Sequence, residues 1–141
     1  YGRPNQFFIN HVVETRKSNA ISIGILYQAL CKQLDIPVGT MNIPKQFIMV
    51  YFNQLPGFQD PGSPPSEHIQ FFIDPLQGQI YTQKDIDTYL KRVNITSEDA
   101  FFRPLDSKSI VRVLITELAK CYENDKDHYR YEELLNLAEM L

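Results

Sequence analysis

The stretch Ser18-Asn-Ala-Ile-Ser-Ile-Gly-Ile-Leu-Tyr-Gln-Ala-Leu-Cys-Lys-Gln-Leu-Asp-Ile-Pro37 contains the residues that decide the fold. Apolar residues recur in it at the spacings of one helical face: Ile23, Leu26, Tyr27, Leu30 and Leu34. Further apolar residues around this face predict a helix that is buried on most sides. Ser18 or Asn19 is expected to cap its N-terminus, and Pro37 lies just beyond its end, because proline cannot continue a helix.

Composition limits the classes of protein to which the chain can belong. It has 141 residues, 43% of them hydrophobic, which is enough for one core with a small helical appendage. The net charge is −3, and the basic residues are not concentrated in one run, which argues against a dedicated nucleic-acid surface. No run approaches the roughly 18 apolar residues that span a bilayer, so we expect no membrane association. Cys31 and Cys121 are expected to be free thiols, which together with the lack of a visible signal segment favours a cytoplasmic location.

Short runs of β-forming residues follow the central helix. Val38–Ile43, Gln46–Asn53 and Ile69–Asp74 predict three strands, and Gln79–Thr82 predicts a return strand after a tight turn. Leu55–Glu67 contains four of the nine prolines and therefore predicts an exposed loop rather than a paired strand.

The rest of the chain has helical patterns. Thr82 and Asp85 form a capping signal for one helix, and two apolar faces after Asp106 predict an antiparallel helical hairpin. The order of helix, strands and helices predicts the α+β class. We expect one domain over residues 1–105 and a hairpin packed on it over residues 106–141.

Few side chains are placed for catalysis. Ser22 lies in the first turn of the central helix, where a capping role is favoured, because a nucleophilic serine needs a base. The alternative is a hydrolase or acyltransferase in which His11 or His68 activates Ser22. Asp74 ends an apolar strand directly before Pro75 and either caps the following turn or takes part in a site. The sequence has no Gly-rich phosphate loop and no metal-ligand spacing, so we predict neither a cofactor nor a metal.

Five motifs stand in an informative order: Asn5-Gln-Phe-Phe, Thr15-Arg-Lys-Ser-Asn-Ala-Ile-Ser-Ile-Gly-Ile-Leu-Tyr, Leu34-Asp-Ile-Pro, Asn42-Ile-Pro-Lys-Gln-Phe and Phe72-Ile-Asp-Pro-Leu-Gln-Gly. Together they resemble the SirB-type branch of the transglutaminase-like superfamily, over Asn5 to Val93. Asp106 to Leu141 resembles the tetratricopeptide-like helix pair that often follows this domain.

The resemblance implies a papain-like core, in which a central helix packs on a small antiparallel sheet and active members use Cys, His and Asp. On this chain the Cys position falls on Ala20, the His position on Gln46 and the Asp position on Asp74. The chemistry needs thiolate and imidazole together, because the base activates sulfur and later delivers a proton. Gln46 cannot exchange a proton near neutral pH. The resemblance therefore implies a bacterial, cytoplasmic scaffold that has lost acyl transfer.

We expect this domain to bind or regulate a protein or peptide in the groove between the helix start and the strands. The expected binding residues are Asn19, Ser22, Asn42, Gln46 and Asp74. A further alternative is a structural module of a larger helical-repeat protein, in which the terminal helix pair stacks on other pairs.

Overall fold

Helices and strands follow one another in the order that the sequence predicts. The computed structural model describes residues 3–54, 60, 62–124 and 126–141. The described α-helices are α1 (Ile9–Thr15), α2 (Ala20–Gln33), α3 (Gln83–Arg92), α4 (Ser107–Lys120) and α5 (His128–Glu139). The described strands are β1 (Val38–Ile43), β2 (Gln46–Phe52), β3 (Ile69–Ile73) and β4 (Ile80–Tyr81). Short 3-10 turns occupy Pro4–Phe7, Pro65–His68 and Asp99–Phe102. Much of the predicted loop Leu55–Glu67, namely residues 55–59 and 61, lies outside the described residues.

Contacts divide the chain into two compact units. One, here called the hairpin unit, comprises Tyr1–Ile23 and Leu105–Leu141, and the other, the sheet unit, comprises Gly24–Pro104. The first residues group with α4 and α5 rather than with the strands. The 3-10 turn Pro4–Phe7 packs on α4, which explains this grouping. The sequence could not show it because the two segments are about a hundred residues apart. The division into domains over residues 1–105 and 106–141 stays a prediction.

The sheet unit is built on four strands in the order β1-β2-β3-β4, and each neighbouring pair is antiparallel. Its core consists of apolar side chains from the strands, from α3 and from the 3-10 turn after it: Met41, Ile43, Ile48, Val50, Phe52, Phe72, Ile86, Leu90 and Phe102. The capping box of Thr82 and Asp85 begins α3, as predicted. Tyr89 then ties α3 to the turn between β1 and β2, because its hydroxyl donates to the carbonyl oxygen of Pro44 at 3.0 Å. Helices with a small antiparallel sheet confirm the α+β class.

The buried face of α2 is not the one that the sequence predicted. Leu30 and Leu34 are 53% and 69% exposed, and Tyr27 is 45% exposed, whereas Gly24 is buried. One turn after Gly24, Gln28 accepts a hydrogen bond through its Oε1 from the buried Thr40 hydroxyl at 2.8 Å. The prediction was wrong because α2 is apolar nearly all round, so spacing alone could not select the face that packs.

In the hairpin unit, α4 and α5 pack on each other as predicted. Asp106 caps α4 by accepting the backbone N–H of Ser109 at 2.7 Å, and Arg112 Nε donates to the carbonyl oxygen of Ala138 at 3.2 Å. Leu118 and Ala138, one from each predicted apolar face, are buried as expected, and Ala119, which was not predicted, is buried as well. No described helix is long and apolar enough to cross a membrane.

Cys31 and Cys121 are thiols and form no disulfide, as predicted. Burial raises the pKa of the Cys31 thiol and also that of the Cys121 thiol above the ordinary value. Because the thiolate is the reactive form, neither residue is a ready nucleophile near neutral pH.

Candidate functional site

The first turn of α2 is closed by reciprocal hydrogen bonds between Asn19 and Ser22. Asn19 Oδ1 accepts the backbone N–H of Ser22 at 2.9 Å, and Ser22 Oγ accepts the backbone N–H of Asn19 at 3.2 Å. The Ser22 hydroxyl also donates to the Asn19 carbonyl oxygen at 3.3 Å. Asn19 is therefore the cap, and among the described residues Ser22 Oγ is hydrogen-bonded to Asn19 alone.

This geometry favours the capping interpretation of Ser22 over the hydrolase alternative. Ser22 is 0% exposed and Asn19 is 4% exposed, so neither side chain presents a surface to a substrate. Of the two histidines expected to serve as base, His68 is hydrogen-bonded through Nε2 to Ser63 Oγ. The ring of His11 lies against the ring of Phe8, with the centroids 6.4 Å apart.

Ala20, the residue at the predicted Cys position, is the first residue of α2. Its methyl group has no lone pair and cannot act as a nucleophile. Ala20 belongs to the hairpin unit, whereas Gln46 and Asp74 belong to the sheet unit. The convergence of all three at the helix start stays a prediction.

Gln46 and Asp74 line the same cavity, which has a volume of about 320 Å³. Gln46 begins β2, and Asp74 follows the last residue of β3. Since β2 and β3 run antiparallel with Met49 opposite Ile73, the start of one strand lies beside the end of the other. The other lining residues come from β1, β2, β4 and α3: Ile43, Phe47, Ile48, Tyr81, Asp85, Ile86, Thr88, Tyr89 and Arg92.

Asp74 both caps a turn and faces the cavity. Its Oδ1 accepts the backbone N–H groups of Leu76 at 2.7 Å and Gln77 at 3.2 Å. The turn closes when Gly78 donates to the carbonyl oxygen of Asp74 at 2.8 Å, with Gly78 at φ 70°, a conformation that glycine adopts without strain. Within the described part of the chain, Asp74 Oδ2 has no hydrogen-bond partner, so it can still accept one from a ligand.

Helix α3 supplies the remaining charges of the cavity. Asp85 accepts the backbone N–H and the hydroxyl of Thr82, both at 2.7 Å, and these bonds hold the pKa of its carboxyl below the ordinary value. The guanidinium of Arg92 lies 5.9 Å from the centre of the Tyr89 ring. Arg92 forms no ion pair with any described residue. The cavity therefore holds two carboxylates and one unpaired cation.

None of the lining residues is a cysteine, histidine, lysine or serine. The one lining hydroxyl on an aliphatic side chain, that of Thr88, donates to the carbonyl oxygen of Lys84 at 2.7 Å. The described lining thus contains no thiol or imidazole, but it offers a side-chain amide, a free carboxylate oxygen and an apolar wall. It can hold a polar ligand by hydrogen bonds.

Asn42 was expected among the binding residues, and its role there stays a prediction. Asn42 is exposed and is not among the residues that line the cavity. Three lining residues of α3, Asp85, Tyr89 and Arg92, were not predicted for a site. They follow one another at steps of four and three and so share one face of α3. That spacing was readable, but only the packing of α3 on the sheet shows that this face borders the cavity.

Comparison with known proteins agrees with this architecture. The model of the transglutaminase-like superfamily matches residues 1–116. The chain belongs to the transglutaminase-like superfamily. The match extends into α4, well beyond Val93, where the resemblance read from the motifs ended.

Two curated relatives are UPF0162 proteins of Buchnera aphidicola, one from subspecies Acyrthosiphon pisum (protein BU173) and one from subspecies Schizaphis graminum. Each is 22% identical over 146 residues, an alignment that covers 100% of this chain and 48% of the relative. The chain therefore spans about half the length of the curated relatives it matches. No solved structure matches it.

Proposed function

We propose that this chain is a SirB-type transglutaminase-like domain that binds a protein or peptide and does not transfer acyl groups. The observation that supports the proposal best is the lining of the cavity beside Gln46 and Asp74, which holds hydrogen-bonding groups but neither thiol nor imidazole. Acyl transfer through a covalent intermediate needs an activated nucleophile, and the expected nucleophile position is Ala20.

The chemistry of the cavity suits a peptide ligand. The Gln46 side chain can both donate to a carbonyl oxygen and accept from an N–H group, as one peptide unit requires. Asp74 Oδ2 can accept a second N–H group, and Arg92 can pair with a carboxylate of the ligand. A volume of about 320 Å³ lies at the small end of ligand pockets and fits one or two side chains rather than a folded surface.

Binding is tested with a library of fluorescent peptides, followed by fluorescence anisotropy on the best binder. Gln46→Ala and Asp74→Asn are expected to weaken that binder by about fivefold to tenfold each, the usual loss for one or two hydrogen bonds. Asp74→Asn preserves the turn, because asparagine supports the same side-chain-to-backbone bonds. Gln70→Ala is the matched control, since Gln70 is an exposed amide on β3 that does not line the cavity.

Loss of catalysis is tested separately. The protein is expected to incorporate no labelled amine into a glutamine-containing acceptor and to hydrolyse neither a thioester nor a peptide. Acyl transfer or hydrolysis by this protein that disappears in Asp74→Ala would refute the proposal.

The exposed apolar residues of the hairpin favour a second function, that of a structural module in a larger helical-repeat protein. Val111, Tyr129, Leu137 and Met140 are between 41% and 84% exposed. A tetratricopeptide-like pair would cover such residues by stacking on further helix pairs. Analytical ultracentrifugation tests this second function. We expect this chain to self-associate, and we expect the self-association to disappear when the chain is extended to the length of its relatives.

A further inference from the structure

We propose that the hairpin unit contains a binding site for a phosphate monoester of a small molecule. The site is a cavity of about 320 Å³, here called the basic cavity. Its lining residues belong to the 3-10 turn before α1, to α1 itself and to the segment after α1: Arg3, Pro4, Asn5, Gln6, His11, Thr15 and Lys17. It shares no lining residue with the cavity of the sheet unit.

Local hydrogen bonds connect three of these residues, His11, Thr15 and Lys17. His11 and Thr15 are four residues apart on α1 and therefore share one face. Thr15 Oγ1 donates to the carbonyl oxygen of His11 at 2.6 Å and accepts the backbone N–H of Lys17 at 3.3 Å. Arg16 ends α1 in the left-handed conformation, with φ 56°, and its backbone N–H donates to the carbonyl oxygen of Val12 at 2.9 Å.

The charge of the lining has one sign. It includes the guanidinium of Arg3 and the ammonium of Lys17, and none of the described lining residues carries a carboxylate. Between residues 3 and 23 the cations are Arg3, Arg16 and Lys17, and the single carboxylate is that of Glu14, which lies outside the lining. This concentration of positive charge contrasts with the net charge of −3 of the whole chain.

The cations of the basic cavity are not neutralised by the protein. Ion pairs in the hairpin unit join Lys120 to Glu117, His128 to Glu132 and Arg130 to Asp127, and these three pairs involve no residue that lines the basic cavity. Neither the guanidinium of Arg3 nor the ammonium of Lys17 forms an ion pair or a hydrogen bond with a described residue. Their donors are therefore available to an anion from solution.

The donor set fits phosphate better than carboxylate. The guanidinium offers a planar fork of N–H donors, and the ammonium offers a point charge, which together suit the several oxygens of a phosphate. The side-chain amides of Asn5 and Gln6 add neutral donors. A phosphate monoester carries up to two negative charges near neutral pH, whereas a carboxylate carries one, so two fixed cations favour the phosphate.

The test is a titration of the isotope-labelled protein followed by amide NMR shifts, with ionic strength held constant by chloride. The ligands are inorganic phosphate, glycerol phosphate and acetate. We expect saturable shifts confined to the residues of the basic cavity, with glycerol phosphate binding at least as tightly as inorganic phosphate and acetate binding at least about tenfold more weakly. Arg3→Gln and Lys17→Gln should each weaken phosphate binding by about tenfold.

Arg16→Asn is the matched control. It removes one positive charge next to Lys17 from a residue that does not line the cavity, and asparagine tolerates the left-handed conformation. The proposal expects this variant to bind phosphate within about twofold of the unchanged protein. Since Arg3, Arg16 and Lys17 are all exposed, the three variants are expected to fold, and their amide spectra verify it.

Three results would overturn the proposal. One is the absence of saturable shifts with both phosphate ligands. Another is an equal loss of phosphate affinity in Arg16→Asn and Lys17→Gln. It would indicate that the overall positive charge of the segment attracts phosphate and that the basic cavity is not a specific site. The third is acetate binding as tightly as phosphate, which would exclude a phosphate-specific donor set.

Discussion

Gly24→Ala should destabilise the protein although alanine is the better helix former. Gly24 lies inside α2, where replacing glycine by alanine normally stabilises a helix by about 1 kcal/mol. A Cβ at this position would lie 2.8 Å from Cε1 and 3.3 Å from Cδ1 of Phe47, which is itself only 6% exposed. The ring must therefore shift, and overpacking of a buried contact costs about 1–3 kcal/mol. If overpacking costs about 2 kcal/mol, the middle of that range, and helix propensity gains about 1 kcal/mol, the free energy of unfolding falls by about 1 kcal/mol.

Urea unfolding followed by far-UV circular dichroism measures this difference as a lower midpoint at an unchanged slope. The melting temperature should fall by about 4 °C. Ala29→Gly is the control for helix propensity. Because Ala29 is exposed on the same helix, this substitution changes no buried contact and should lower the free energy of unfolding by about 1 kcal/mol.

A double-mutant cycle isolates the contact. Phe47→Leu removes the ring atoms that the new Cβ would meet, so in that background Gly24→Ala should stabilise the protein by about 1 kcal/mol. The reasoning fails if Gly24→Ala stabilises the unchanged protein, or if its effect is the same in both backgrounds.

Three further perturbations follow from polar contacts. Asp85→Asn should lower the melting temperature at pH 7. The pKa of Asp85 is lower in the folded than in the unfolded protein, so its carboxylate stabilises the fold above the unfolded pKa, and this stabilisation is lost as pH falls through the folded pKa. The melting temperatures of the two proteins should therefore converge in acid. A difference that stays constant with pH would contradict this. Asn19→Ala should cost about 1 kcal/mol in urea unfolding through loss of the helix cap, and an unchanged midpoint would show that the cap contributes nothing. Thr40→Val should lower the free energy of unfolding by about 1–2 kcal/mol because it leaves Gln28 Oε1 without its donor. Gln28→Met in the Thr40→Val background removes the unpaired oxygen and should recover part of that free energy; no recovery would contradict the prediction.

Much of the local structure could be predicted because its causes lie within a few residues. The capping box of Thr82 and Asp85 needs only a three-residue spacing, and the strands around Pro44 needed only β-forming runs with a break between them. The motif order also indicated the superfamily, which the match over residues 1–116 then confirmed. It further predicted that alanine and glutamine stand at the positions expected for cysteine and histidine, and that reading remains part of the proposal.

Only the tertiary structure decided which surfaces meet. Helix α2 is apolar on nearly every side, so its buried face depends on Gly24, the position where Phe47 can approach closely. Gln46 and Asp74 share a cavity because the antiparallel register of β2 and β3 places the start of one strand beside the end of the other. Arg92 joins them because α3 packs with that face toward the sheet. Periodicity shows which residues share a face, but the partner of that face is set by contacts between residues far apart in the chain, and those contacts leave no local pattern to read.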